Sequence, residues 1–366
     1  MPGEVLLWVQ KCFITFLSSL DQKLPSIPQI WECCMHLFNI SVLSVRNISG
    51  VIYVTSSNGS ICRVSVLMGD RVNDMASVRG FPCVLLWGRR DGLLVSAGNT
   101  LYFVAGNEAR PVLTVSDGNW LWHAAELGGF VFVQEYGGPP AGIYATEDFK
   151  RFERVVTNVD VDPKSRHFHY VASDAERNLL VATLGDGNLV RAVVSRDLGR
   201  TWRPIYRGPW QFVPVLVERE RWVFGFDSGI ARGGVGIYHP EEGRWEFIFL
   251  KSPHRYAQFA SLASFGDLYV GGLGMPVGVV VSRDLKVWRA LHVAEFSKAY
   301  KHFVDVAIWG DKVVASTGQR LLIFEAEELS GGKLFMKPYP AVLDRLHGWL
   351  SYLKRSLDEA QAVGAD

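Results

Sequence analysis

Apolar residues in this chain come in short runs, and the runs come in sets. Residues 167–172, 179–183, 189–194 and 201–206 are four runs in succession, separated by polar or Gly-containing segments. Runs of this length bounded by turn residues predict strands, and sets joined by tight connections predict antiparallel sheets of four. The same succession is drawn through 117–157, 208–251 and 252–292. Residues 303–308, 312–316 and 320–324 give another set, residues 84–87, 93–96 and 100–104 one more, and residues 36–80 a last one. Each set reads as an inner strand, a short turn, a second strand, a Gly-rich loop, a third strand, a tight turn and a fourth strand.

Both ends depart from this rhythm. Residues 4–20 are strongly apolar, but Lys11 interrupts them, no basic segment precedes them and no small-residue cleavage site follows. A strand or helix that packs on the body or closes it is therefore expected, rather than a signal peptide or a membrane span. A true start near Met35 is the other reading. At the far end Val342, Leu343, Leu346, Leu350, Leu353 and Leu357 recur at helical spacing behind Pro340. They predict an amphipathic helix, docked on an edge of the body or offered to a protein partner. The expected organisation is an extension over 1–35, a strand-built body over 36–338, and a helix and tail over 339–366.

The tight turn before the fourth strand is most complete in residues 195–202, SRDLGRTW. Asp197 has a short acceptor side chain suited to bonding backbone N–H groups within the turn, and Gly199 can take positive φ. Ser195 and Thr201 place hydroxyls at its ends, and Trp202 brings an apolar surface that a neighbouring sheet must cover. Shortened versions run from Thr146 through Asp148 to Phe152 and from Ser282 through Asp284 to Trp288; a relic runs from His239 to Trp245. Their closing aromatics at 152, 202, 245 and 288 lie 50, 43 and 43 residues apart, a spacing that marks a repeat array.

These turns resemble the Asp box, or BNR repeat, with the pattern Ser/Thr-x-Asp-x-Gly-x-Thr-Trp. Sialidases, xyloglucanases, sortilin-type receptors and photosystem assembly factors carry it. The resemblance implies an all-β fold, a β-propeller of four-stranded antiparallel blades. Seven blades are expected, six being the alternative, followed by the C-terminal helix. It also implies that the box turns lie opposite the ligand face, so that Asp148, Ser195, Asp197, Gly199, Thr201, Trp202, Asp284 and Trp288 are structural.

Composition agrees: 36 glycines, 12 tryptophans and 21 phenylalanines with only 20% charged residues suit many short strands packed through aromatics. Charge contributes an exclusion. A net charge of +1 without a Lys/Arg tract gives no footprint for nucleic acid. Five cysteines crowd the N-terminal quarter without a CxxC spacing, so most are expected as buried thiols in a reducing, cytoplasmic setting. The family resemblance points the other way, to secretion. A monomer is expected.

Candidate chemistry then falls on the face away from the box turns. The starts of inner strands contribute Trp120, Trp122, His123, Arg166, His167, His169, Trp210, Gln211, Tyr256, Gln258 and His302. Aromatic platforms among amides, carboxylates and arginine suit a glycan, whose apolar faces stack while its hydroxyls hydrogen-bond. A glycosidase would need paired acids, or a Tyr nucleophile with an acidic partner; Glu135, Tyr136, Asp186, Asp227 and Asp305 are the candidates. No Arg-Ile-Pro motif and no arginine triad accompany them, so a sialidase is not expected. His167 and His169 alternate onto one side of a strand and make half a metal site, with Asp186 among the residues able to close the shell. Alternatively they are polar residues between blades, satisfied by backbone carbonyls. No cofactor is expected beyond such a metal. Three readings follow: a ligand-binding propeller, a glycoside hydrolase using loop carboxylates, and a non-catalytic protein assembly scaffold.

Overall fold

The computed structural model describes residues 42–69, 71–187, 189–294 and 304–363. The extension expected over 1–35 and the candidate His302 lie outside them. Strands β1 (Val42–Ile48), β2 (Val51–Ser57), β3 (Ile61–Met68) and β4 (Arg71–Arg79) form an antiparallel meander. The pattern repeats in β5 (Cys83–Arg89), β6 (Gly92–Ala97), β7 (Thr100–Ala105) and β8 (Glu108–Thr114), and again in β9 (Trp120–Leu127), β10 (Phe130–Tyr136), β11 (Gly142–Thr146) and β12 (Glu153–Thr157). After a single helical turn, α1 (Asn158–Val161), come β13 (His167–Asp174), β14 (Leu179–Gly185), β15 (Val190–Ser195) and β16 (Arg203–Arg207). Two further sets are β17 (Phe212–Val217) to β20 (Arg244–Lys251) and β21 (Gln258–Phe265) to β24 (Trp288–Val293). The last set holds β25 (Asp305–Trp309), β26 (Lys312–Ser316) and β27 (Leu321–Phe324), followed by β28 (Lys333–Pro338) and α2 (Val342–Val363).

The first strands of the sets, β1, β5, β9, β13, β17, β21 and β25, pack on one another in that order, and β25 packs on β1. This closes a ring. The expectation of seven, or six, separate four-stranded blades is nevertheless corrected. Among the described residues five sheets stand alone, four of four strands and one of three, whereas β17–β20 and β21–β24 are joined by β28 into one nine-stranded sheet. β28 pairs with both outer strands, Leu250 opposite Pro338 and Trp288 opposite Met336. Two open edges thereby find backbone partners in a single strand, which removes them as sites of intermolecular pairing.

Polar clips tie each set to the next at the ring's inner wall. Thr55 Oγ1 donates to the Cys83 carbonyl (3.0 Å), Leu121 N to Ser96 Oγ (3.2 Å), Gln134 Nε2 to the Phe168 carbonyl (2.7 Å) and His169 Nδ1 to the Phe212 carbonyl (3.0 Å). Ala257 N then donates to the Arg232 carbonyl (2.6 Å), Ser261 Oγ to the Val304 carbonyl (2.8 Å), and Val45 N to Asp305 Oδ2 (3.2 Å). Cys62 and Cys83, both fully buried, add a disulfide between β3 and β5. For these two residues the expected thiols are corrected.

The tight turns anchor sheets from the opposite end. Thr201 donates from its N–H (2.9 Å) and its hydroxyl (2.6 Å) to the Asp197 carboxylate, and Gly199 N donates to Ser195 Oγ (2.9 Å). The Thr201 hydroxyl, followed by its backbone N–H, holds the Asp197 carboxyl down at about 2. Asp148 accepts from Lys150 N and Arg151 N, and Asp284 from Lys286 N and Val287 N, in the same way. The residue after each Asp takes a left-handed conformation, Phe149 at φ 55°, Leu198 at 57° and Leu285 at 62°. That conformation turns an apolar side chain inward: Phe149 stacks on Trp87 and Phe103 of the second set, and Leu285 joins the core beside Val223 and Ile237. In the His239–Trp245 turn the backbone closes the loop, Gly243 N bonding the His239 carbonyl (2.9 Å), while Glu242 accepts from Arg244 Nε (2.8 Å) and Glu241 reaches across to Arg177.

Helix α2 reverses the expected orientation. Its row Val342, Leu343, Leu346, Leu350, Leu353 and Leu357 faces solvent, each residue between 52% and 78% exposed. The contact side is built instead on Gly348, where an added Cβ would stand 2.5 Å from the Trp210 ring, and on Arg345, which lies 4.5 Å over Phe249. A small residue lets the helix backbone approach a flat aromatic surface, so the packed side carries little apolar signature. Trp210, expected at the ligand face, is buried beneath it. No helix among the described residues is long and apolar enough to cross a membrane.

Candidate functional site

The pairing register separates the two ends of each set. Trp120 pairs with Tyr136 and His167 with Gly185 at one end, whereas Ser195 pairs with Leu180 towards the other. The SRDLGRTW turn therefore lies away from the histidines. At the histidine end one irregularity recurs: each of β1, β5, β9, β13 and β21 slips by one residue against its neighbour, leaving Leu43, Leu86, Trp122, His169 and Ala260 outside the ladder. Such a bulge re-aims its side chain. Two of the sequence candidates, Trp122 and His169, owe their direction to it rather than to simple alternation.

Side chains from β9, β10 and β13 meet there in a continuous aromatic row. Trp120 contacts Tyr136 (ring centroids 4.6 Å apart), Tyr136 contacts His167 (4.0 Å), and His167 contacts His169 (5.1 Å). Trp122 packs on Tyr136 (4.8 Å) and on His123 (4.8 Å), and His123 on Tyr170 (4.0 Å). Trp120, Trp122 and Tyr136 remain partly exposed, while the three histidines are buried. Arg166 is exposed beside the row, and Gln211 Nε2 donates to Asp186 Oδ1 (3.3 Å).

Both members of the histidine pair use one ring nitrogen structurally. His167 Nδ1 lies 2.8 Å from the Gly137 carbonyl and His169 Nδ1 3.0 Å from the Phe212 carbonyl. A carbonyl only accepts, so each Nδ1 carries a proton, and in a neutral ring the lone pair then lies on Nε2. His167 Nε2 is buried without a hydrogen-bond partner among the described residues, 3.6 Å from Asp186 Oδ2. Burial, reinforced by His169, pushes the His167 imidazole down to about 4, and burial keeps His123 well below its ordinary value. Asp186 sits at φ 60° in the turn after β14. Gly185 has no room for a Cβ, which would stand 1.8 Å from His169 Nε2.

The candidate acids divide. Glu135 accepts from Asn119 Nδ2 (2.7 Å), Gly142 N (2.8 Å) and the Tyr144 hydroxyl (3.0 Å), which commits it to holding loops together. Asp305 is committed to ring closure, through Val45 N and an ion pair with Arg46; burial raises its carboxyl while Arg46 draws it down. Asp186 and Asp227 stand near enough to act on Tyr136, whose phenol burial first, and these charges next, push up to about 12. A phenol in that range keeps its proton at neutral pH and is a poor nucleophile. Gln258 is buried on β21, and Tyr256 lies under the Arg255 guanidinium, 5.2 Å from its ring, in a different sector of the ring. Deeper in, Leu43, Arg46, Trp122, His123 and Asp305 surround a cavity of only about 20 Å³, room for one water. A larger ligand does not fit inside it.

The histidines and aromatics are visible in the sequence, but what positions them is not. The Gly137 and Phe212 carbonyls carry no side-chain signature. Gly185, a glycine at a strand end facing a histidine, was the one visible signal.

The chain matches no known family profile and no curated protein sequence. Its fold is similar to that of the GH74 xyloglucanase from Xanthomonas campestris, with a TM-score of 0.58 and 14% identity over 83% of this chain and 55% of that one. It is also similar to YCF48 bound to D1 peptide, with a TM-score of 0.52 and 12% identity over 82% of this chain and 99% of that one. The chain is a β-propeller. It spans about half the length of the xyloglucanase chain, and at these identities the likeness is one of fold alone.

Proposed function

We propose that this propeller is a binding protein that takes a glycan, or another polymer rich in hydroxyls, at the mouth opposite its tight turns. The turns themselves we assign to the Asp-box type, on the strength of the Asp197, Asp148 and Asp284 hydrogen bonds. The row Trp120–Tyr136–His167 carries the reading: partly exposed aromatic faces lie beside Arg166, Asp186 and Gln211, so stacking and hydrogen-bonding surfaces converge. Hydrolysis is the weaker reading because Glu135 and Asp305 are occupied by structural partners. Screening on an array that includes xyloglucan oligosaccharides, followed by titration of tryptophan fluorescence, tests the proposal. Trp120→Ala is expected to weaken binding about tenfold or more, equivalent to about 1.4 kcal/mol. Absence of any bound glycan, or equal binding by Trp120→Ala, defeats it.

The solvent-facing leucines of α2 favour a second reading, an assembly scaffold that holds a protein partner by that helix. Leu346→Lys with Leu350→Lys separates the two, since it abolishes partner capture and leaves glycan titration unchanged. The Cys62–Cys83 disulfide supports an oxidising compartment over the reducing one expected from cysteine spacing.

A further inference from the structure

We propose that His167, His169 and Asp186 bind one divalent transition-metal ion. Their ligand atoms, one from each residue, all lie within 4.8 Å of one another. Around a tetrahedral ion with bonds of about 2.1 Å, neighbouring ligand atoms stand roughly 3.4 Å apart, so the group is at most about 1.4 Å too open at its widest and must close by that much. Asp186 can supply the movement. Its side chain is 50% exposed and stands at a turn, while the two imidazoles are held by their carbonyl partners.

The arrangement of lone pairs argues for a cation. Because the Gly137 carbonyl takes the Nδ1 proton, the buried His167 Nε2 offers its electron pair towards an anionic carboxylate, and His169 contributes a ligand atom to the same cluster. His167 is only 2% exposed, and its Nε2 has no hydrogen-bond donor to meet it among the described residues. Nitrogen and carboxylate lone pairs at 3.6 Å repel unless something positive lies between them. Metal-ligating histidines characteristically donate their other ring N–H to a carbonyl or carboxylate, and both rings place Nδ1 against a backbone carbonyl. The space that the His169 ring occupies exists because Gly185 lacks a side chain.

Two imidazoles and one carboxylate suit zinc, iron(II), cobalt(II) or manganese(II) better than calcium or magnesium, which prefer oxygen alone. Three protein ligands leave at least one position for water or for an oxygen of a bound molecule. The inference does not depend on glycan binding, because the ion is tested alone. Full-length protein stripped with a chelator is titrated with zinc chloride by calorimetry, and cobalt(II) absorption reports the coordination number.

One equivalent of zinc per chain is expected, with Asp186→Asn lowering affinity roughly 100-fold or more, since even partners beyond the ligands are worth 10–100-fold. His167→Ala is expected to abolish the site. Should that variant fold poorly, Asp186→Asn, altered only in an exposed side chain, still decides the matter. Lys286→Ala, on an exposed turn at the other end of its sheet, serves as the control that retains zinc. No zinc bound by the wild-type chain, or undiminished binding by Asp186→Asn, overturns the assignment. Failure of glycan binding on the zinc-loaded protein, with zinc still taken up, would remove the glycan reading and leave this one standing.

Discussion

Gly185 shows how much a single position can decide. Substitution Gly185→Ala places a methyl where the His169 ring lies, so the ring must leave and its bond to Phe212 must break. A loss of about 1–3 kcal/mol in stability is expected, together with a changed His169 ring signal in NMR spectra. Asp197 gives the pH counterpart. Its folded value, about 2, lies below the ordinary carboxylate value, so its contribution is fully present above about pH 4. That contribution fades as pH falls through 4 towards 2. Thermal midpoints recorded between pH 5 and pH 2 should decline less steeply for Asp197→Asn than for the wild type. The residues named as candidates were legible because Trp, His and Asp announce themselves in any pattern. What made Glu135 and Asp305 structural was not legible: Asn119, Gly142 and Arg46 reach them only through the fold.

At the level of the element, the Asp of each tight turn stands out in the sequence, whereas the apolar residue that follows it and turns inward does not. Leu285 and Phe149 adopt a conformation that costs a non-glycine residue about 1–2 kcal/mol, and burial of a large apolar side chain offsets it by about 2–3 kcal/mol. Leu285→Ala should therefore lower stability by about 3 kcal/mol in chemical denaturation, against less than about 0.5 kcal/mol for the exposed Lys286→Ala. Helix α2 teaches the converse. Its periodicity revealed a helix but not the side that packs, because Gly348 and Arg345 make the contact through Trp210 and Phe249. Gly348→Ala is expected to lift the helix from the ring, seen as faster hydrogen exchange over 342–363 than in the wild type.

For the whole molecule, repetition at a near-constant spacing was enough to announce a ring, because each set of strands leaves apolar faces that only neighbouring sets can cover. How the sets join could not be read, since β28 comes after the last set in sequence and pairs with β20 and β24. The same holds for Cys62 and Cys83, which lie 21 residues apart and meet only when the first two sheets pack. Reduction of that bond, or Cys62→Ser with Cys83→Ser, should cost about 3 kcal/mol, measured as a lower unfolding midpoint. The recurring bulge carries a wider consequence. Leu43, Leu86, Trp122, His169 and Ala260 stand in five comparable sockets, each outside the hydrogen-bonded ladder. Their identity is thus partly uncoupled from strand pairing, so one recognition chemistry can replace another at these positions without altering the register of the strands.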